Sequence, residues 1–162
     1  MNNHHTQQQC TVSDAADKLA VAEALYRFAT GIDLRDRDLL TASLALDSVS
    51  DFRLAAAKAG FEYPVLTGRE TIVNALLTSL GQLDTTHSVS NPRVTIDGDT
   101  AKLEAMVEAQ HVPRKDHSRH YLMKNRYDVD LVRLDGIWVI QRTTVDNVWC
   151  TGDSTVMSGV EP

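Results

Sequence analysis

Residues 97–111 read DGDTAKLEAMVEAQH and contain one of the clearest strand patterns in the chain. The pair Asp97-Gly98 is typical of a tight hairpin turn. From Ala101 to Ala109 every second residue is apolar, and most of the residues between them are charged. This alternation predicts a strand that buries one of its faces in a core.

Long strands are predicted on both sides of this segment. Thr85–Ile96 has strand character with a break at Asn91-Pro92, because proline has no N–H to donate to a central ladder. Residues 121–131 alternate apolar and polar side chains, Asp135-Gly136 turns the chain again, and Ile137–Val148 is the last long strand. The second half of the chain therefore reads as a meander of antiparallel strands.

The first half of the chain has helical periodicity instead. Apolar residues recur at helical spacing from Leu19 to Ile32, which predicts a first helix from about residue 14 to Asp33. Ser13 is the expected N-cap of this helix. A second, shorter helix is predicted to begin at Asp36 or Asp38 and to end near Asp47.

A third helix is predicted from Arg69 to about Leu80, with Gly81 at its C-terminal cap. The segment 48–63 is harder to interpret, because it begins with strand alternation and continues through an alanine-rich stretch, Ala55–Ala59, that fits a helix. We predict a short strand followed by an irregular loop there.

Helices followed by strands indicate an α+β fold. Strands of ten or more residues twist, so a sheet built from them must curl. A curled antiparallel sheet with the first helix across its concave face would enclose a pocket. We predict one domain over residues 13–150, between a disordered tail of residues 1–12 and a polar C-terminal tail of residues 151–162.

Composition limits the partners of this domain. Its 162 residues are 43% apolar and 23% charged, as expected of a globular protein, and the formal net charge is −6. This negative charge opposes nucleic acids and anionic lipids, so we expect neither a nucleic-acid nor a membrane partner. Cys10 and Cys150 show no metal-binding spacing, and we expect unpaired thiols in the cytoplasm.

Several segments together resemble a SnoaL-like domain of the nuclear transport factor 2 superfamily, on the branch near scytalone dehydratase, hexachlorocyclohexane dehydrochlorinase and bile-acid dehydratase. The resemblance covers roughly residues 14–149. It is carried by Leu25–Ala29 with Asp33, Tyr63–Glu70, Thr86–Pro92, Asp97–Ala101, Arg119–Tyr121, Arg126-Tyr127 and Asp135–Trp138.

The resemblance implies a cone-shaped α+β barrel, NTF2-like or cystatin-like, with the active site inside the cone. It also implies lyase chemistry without a metal or an organic cofactor, and self-association as a homo-dimer or homo-trimer. The shared element of the lyases is a strand histidine paired with an aspartate at the end of the first helix. Asp33 and His87 lie where these two residues would fall, which makes them the candidate catalytic pair.

The chemistry of this pair can also be derived without the family. A carboxylate at a helix C-terminus faces the negative end of the helix dipole, so Asp33 needs a donor to compensate it. A histidine ring N–H on that carboxylate would fix the tautomer and leave the second ring nitrogen free as a base. The alternative is an exposed Asp33 with His87 bonded to a backbone carbonyl.

Four further residues are candidates for binding substrate. Tyr26 lies two helical turns before Asp33 and could donate to a substrate oxygen, or could simply be a packed core residue. His111 continues the apolar parity of its strand and could be a second acid or electrophile, or could face solvent. Asn125 and Tyr127 share the apolar parity of the next strand; the amide could contact a ligand or a neighbouring strand.

Together with the resemblance, these residues predict a cofactor-independent lyase or isomerase, dehydratase-like, that acts on an apolar, ring-containing small molecule. His111, His117 and His120 match no standard metal motif, so no metal is expected. Two alternatives remain at this point: a SnoaL-like protein that binds a small molecule without chemistry, and the small subunit of a ring-hydroxylating dioxygenase.

Overall fold

A computed structural model of the chain describes residues 12–158. Within this range the chain forms four helices, six strands and one 3-10 helix. The helices are α1 (Val12–Leu34), α2 (Arg37–Ser43), α3 (Arg53–Ala59) and α4 (Arg69–Ser79), and the 3-10 helix is Ser154–Ser158. The strands are β1 (Leu44–Asp51), β2 (Leu66–Thr67), β3 (Leu83–Asp97), β4 (Thr100–Pro113), β5 (Tyr121–Leu134) and β6 (Ile137–Gly152).

The strands form one sheet in the order β2-β1-β6-β5-β4-β3. The predicted meander from β3 to β6 is antiparallel throughout, and the predicted turns at Gly98 and Gly136 join its hairpins. The break expected at Asn91-Pro92 is a register shift between Ser90 and Arg93, and β3 continues beyond it.

The sheet is mixed, whereas the prediction was a purely antiparallel sheet. β1 pairs in parallel with β6, so residue Leu44 lies beside Ile140, and β2 extends the sheet beyond β1 as an antiparallel edge. Among the residues that the structure describes, the edge strands β2 and β3 do not pair with each other, so the sheet is open.

One face of the sheet is buried under the helices. α1 contacts β3, β4 and β6 along this face, and its buried residues include Leu25, Phe28 and Ile32. The apolar residues of β4 from Ala101 to Ala109 lie in the same core, as their alternation predicts. The core therefore occupies the space between the helices and the meander.

The structure corrects the prediction between α1 and α4. The second helix ends at Ser43 rather than near Asp47, and residues from Leu44 onward form β1. Asp36 is the N-cap of α2, where its carboxylate accepts from two backbone N–H groups. The predicted loop after the strand is instead α3, because the alanine-rich stretch retains its helical preference once its small side chains are buried.

The two ends of the domain also differ from the prediction. The first helix already begins at Val12, so Ser13 lies within it and is not its N-cap; the rest of the predicted N-terminal tail lies outside the described residues. In the predicted polar C-terminal tail, residues 154–158 form the 3-10 helix and bury Val156. No helix within residues 12–158 is long and apolar enough to cross a lipid bilayer.

Candidate active site

A cavity lies between the helices and the buried face of the sheet. Its empty space is about 660 Å³, a figure that includes the part open to solvent. Most of its lining is apolar, and the aromatic rings of Phe52 and Tyr63 meet edge to face there, 6.0 Å between centroids. The lining side chains are those of Ile32, Phe52, Ala55, Ala56, Phe61, Tyr63, Leu76, Ser79, Leu80, His87, Ala109, His111, Met123, Asn125, Tyr127, Val145 and Met157.

Asp33 and His87 meet at the edge of this cavity. The Asp33 Oδ1 atom lies 2.6 Å from Nδ1 of the His87 ring, and Oδ2 accepts from the backbone N–H of His87 at 2.7 Å. Thr85, two residues earlier on β3, donates its hydroxyl to Oδ1 at 2.9 Å. The carboxylate at the end of α1 is therefore held on β3 by three donors.

These contacts determine the tautomer of His87. Burial alone would raise the pKa of Asp33, but the hydrogen bonds from His87 and Thr85 outweigh it and leave the pKa lowered. An ionised carboxylate only accepts hydrogen bonds, so Nδ1 of His87 must carry the proton. The Nε2 atom then has a free lone pair, on a side chain that lines the cavity and is only 6% exposed.

His111 lies on the neighbouring strand β4, with its ring centroid 6.0 Å from that of His87 and the two rings nearly perpendicular. It is buried on the apolar face of β4, as its parity predicts, and its Nδ1 atom donates to the Tyr121 carbonyl at 3.3 Å. Burial, and secondly the nearby charge of His87, lower the pKa of His111 to about 4. His111 is therefore neutral at pH 7, and its Nε2 atom can accept a hydrogen bond but has no proton to give.

Asn125 and Tyr127 face the cavity from β5. The Asn125 Oδ1 atom accepts a hydrogen bond from Asn147 Nδ2 of β6 at 2.9 Å. Asn125 therefore both lines the cavity and contacts a neighbouring strand, the two alternatives stated from the sequence. Its own NH2 group has no partner among the described residues. Burial, and secondly the charge of Asp33, raise the pKa of Tyr127, so its phenol remains protonated.

Tyr26 is placed elsewhere. Its partly buried side chain packs against the hydrophobic core and is not among those that line the cavity. The helical spacing of Tyr26 and Asp33 was correct, but residues on one helix face need not contact the same part of a sheet.

Several residues complete the site beyond those predicted from the sequence. Thr85 follows the parity of His87 and could have been found from that spacing. Asn147 and Met157 are brought in by the pairing of β6 and by the packing of the 3-10 helix. Within residues 12–158, no cluster of three or more His, Cys, Asp or Glu side chains has metal-binding geometry, and Cys150 is an exposed free thiol.

The chain belongs to the SnoaL-like domain family, whose sequence profile matches residues 13–144. A relative is terrestric acid biosynthesis cluster protein E of Penicillium crustosum. The two sequences are 28% identical over 148 residues, covering 87% of this chain and 89% of the relative.

Solved structures share the fold at low sequence identity. The Kfla4162 protein of Kribbella flavida has a TM-score of 0.80 at 23% identity, covering 90% of this chain and 99% of that one. A provisionally named scytalone dehydratase of Novosphingobium aromaticivorans has a TM-score of 0.73 at 19% identity, covering 87% and 90%. At these identities the likeness establishes the fold.

Proposed function

We propose that this protein is a cofactor-independent lyase or isomerase of the dehydratase type, acting on a mostly apolar, ring-containing small molecule. The observation that carries the proposal is the 2.6 Å contact between Asp33 and Nδ1 of His87, which leaves Nε2 of His87 as a base on an apolar cavity. A positioned base of this kind accelerates proton transfer by about 10²–10⁴-fold.

In the proposed elimination, Nε2 of His87 removes a proton from the carbon next to a ring carbonyl. The electrons of the broken C–H bond form a C=C bond, and the C–O bond of a neighbouring hydroxyl breaks. The leaving hydroxide takes a proton, returned by the His87 imidazolium, and departs as water. His87 ends as it began, so the reaction needs no co-reactant.

The other polar groups of the cavity are suited to hold such a substrate. The protonated phenol of Tyr127 and the free NH2 group of Asn125 can donate to a carbonyl oxygen that gains negative charge. His111 can accept a hydrogen bond from a substrate hydroxyl through Nε2. This differs from the predicted role of His111 as an acid, because its only ring proton is given to a backbone carbonyl.

The relatives support a metabolic reaction of this class. The Penicillium crustosum protein is named for a biosynthesis cluster, and the Novosphingobium aromaticivorans structure is named for a dehydratase. Neither name supplies the substrate of this chain.

The alternative of a binding protein without chemistry does not require Asp33 and His87 to touch. A separation well beyond about 3.5 Å would have favoured it, and the observed 2.6 Å favours the lyase. Copurification with a larger, metal-bearing chain would favour the third alternative, the small subunit of a ring-hydroxylating dioxygenase.

The test is turnover of a panel of cyclic β-hydroxy ketones, followed by the ultraviolet absorbance of the conjugated enone. We expect His87→Gln and Asp33→Asn to lower kcat by at least about 10²-fold, with nearly unchanged melting temperatures. His117→Gln is the matched control, because His117 is an exposed histidine outside the cavity. Turnover of a substrate by His87→Gln at the wild-type rate would contradict the general-base assignment.

A further inference from the structure

Arg35 has a backbone conformation that is unusual for its residue type. It follows the last residue of α1 with a φ of 57°, in the left-handed region where helices most often place glycine. The backbone N–H groups of Arg35 and Asp36 donate to Ile32 and Gly31, the two hydrogen bonds of a Schellman motif. A residue other than glycine is less stable in this backbone conformation. The arginine at this position therefore indicates that its side chain has a function.

The guanidinium of Arg35 lies against the C-terminal end of α1. It donates to the carbonyl oxygens of Leu80 and Leu83, at 2.8 and 2.5 Å, and also contacts that of Ile32. Its Nη1 atom donates in addition to the Thr85 hydroxyl at 3.0 Å. Arg35 thus joins the ends of α1 and α4 to the start of β3.

The contact with Thr85 has a consequence for Asp33. A hydroxyl has one proton to donate, and guanidinium has no lone pair to accept it. With Arg35 donating to the Thr85 oxygen, the Thr85 proton is left for Asp33 Oδ1, 2.9 Å away. The same Oδ1 atom receives the proton on Nδ1 of His87 at 2.6 Å.

We propose that Arg35 and Thr85 form a positioning unit that fixes the Asp33 carboxylate and thereby selects the Nδ1–H tautomer of His87. Neither side chain lines the cavity, so both act through Asp33 rather than on the substrate. The inference rests on the proposed role of the Asp33–His87 pair, but it can be tested on the imidazole itself.

The charged and titratable surroundings of this unit come from several elements. Asp84 on β3 and Arg114 after β4 contribute opposite charges near Arg35, while His111 and Tyr127 face the Asp33–His87 pair from β4 and β5. The test is therefore made at one fixed pH, at which the His87 ring is shown to be neutral.

The measurement is the ¹⁵N chemical shifts of the His87 ring in the full-length protein. We expect predominantly the Nδ1–H tautomer in the wild type. In Thr85→Val, which keeps the size of the side chain but removes its donor, the ratio of Nδ1–H to Nε2–H should fall about tenfold. Thr85→Ser restores the hydroxyl and should restore the ratio.

Arg35→Met tests the other half of the unit, and we expect the same loss of the Nδ1–H tautomer. A purely structural Arg35 would lower the melting temperature and leave the His87 tautomer of the folded protein unchanged. Thr85→Val retains every carbonyl contact of Arg35, so it remains informative if Arg35→Met fails to fold. Wild-type tautomer ratios in Thr85→Val would overturn the proposal.

Activity separates this inference from the lyase assignment. Once a substrate is found, Thr85→Val should lower kcat about tenfold with little change in KM, because Thr85 does not contact the cavity. A tautomer shift without any turnover would leave the positioning unit intact and count against the lyase. Full turnover in Thr85→Val, with no turnover in His87→Gln, would support the lyase and count against the positioning unit.

Discussion

The two histidines of the cavity, His87 and His111, have different electrostatic environments. His87 has a carboxylate partner at 2.6 Å, whereas the hydrogen bond of the buried His111 within residues 12–158 is to a backbone carbonyl. The site therefore combines the proposed base, His87, with a second histidine, His111, that burial keeps neutral.

The environment of His111 predicts a pH-dependent stability. Its pKa is lowered to about 4 in the folded protein, against about 6.5 in an unfolded chain. Between these values the unfolded chain binds a proton that the folded chain does not, so stability falls as the pH drops from 6.5 towards 4. The loss from this residue should be on the order of 3 kcal/mol.

Urea unfolding from pH 7 to pH 4 measures this loss. In His111→Gln the free energy of unfolding should decline less steeply over that range than in the wild type. His117→Gln removes an exposed histidine and should keep the wild-type slope. Equal slopes in all three proteins would mean that folding does not lower the pKa of His111.

At the level of elements, α3 forms one wall of the cavity through Ala55 and Ala56. Lys58 attaches this short helix to β6, donating to the Asp146 carboxylate at 2.6 Å and to the Asn147 carbonyl at 2.7 Å. The side chain of Asn147 in turn holds Asn125. One lysine therefore links the position of the helix to a polar group of the cavity.

Lys58→Ala should loosen α3 without unfolding the domain. We expect amide hydrogen exchange of residues 53–59 to accelerate several-fold, because the helix is too short to be stable without its tertiary contacts. Lys102→Ala is the control, since Lys102 forms an exposed ion pair with Asp130 on the meander. If α3 exchanges at the same rate in both variants, Lys58 does not hold it.

The elements differ in how far the sequence could predict them. The meander was predictable because alternation and the Asp97-Gly98 turn are local signals that agree with the fold. The segment 44–59 was predictable only in part. A short strand was expected from residue 48, but its start at Leu44 and helix α3 were not, since β1 pairs with a parallel partner almost at the other end of the chain.

The residues of the candidate site also differ in how far the sequence could predict them. Asp33 and His87 could be placed by family resemblance and by simple chemistry, and Asn125 and Tyr127 by strand parity. Arg35 could not, because a left-handed arginine after a helix has no sequence signature and its partners Leu80 and Thr85 are distant along the chain. Contacts made by loops and helix ends depend on the assembled tertiary structure.

At the scale of the whole molecule, an open sheet under four helices leaves a cavity whose occupant should stabilise the fold. A ligand at a hundred times its Kd adds about 2.7 kcal/mol to the free energy of unfolding. Self-association as a dimer or trimer stays a prediction, and sedimentation of the purified chain would measure it.

A cyclic ketone substrate should therefore raise the melting temperature of the wild type and of His87→Gln alike, because His87→Gln removes the base but leaves the apolar lining. Ala109→Phe places a ring inside the cavity and should abolish the shift. Thermal denaturation with and without the ketone measures both effects. An undiminished shift in Ala109→Phe would place the ligand outside the cavity.

The parallel pairing of β1 with β6 also bears on how the protein is made. During synthesis, β1 leaves the ribosome long before β6. The edge of β1 at Leu44 can therefore pair with β6 only after Ile140 has been synthesised. Until then the nascent chain exposes an unsatisfied strand edge and half of a core, which invites aggregation. Productive folding is thus expected to be post-translational, and a ribosome stalled before β6 should hold a chain that proteases readily degrade.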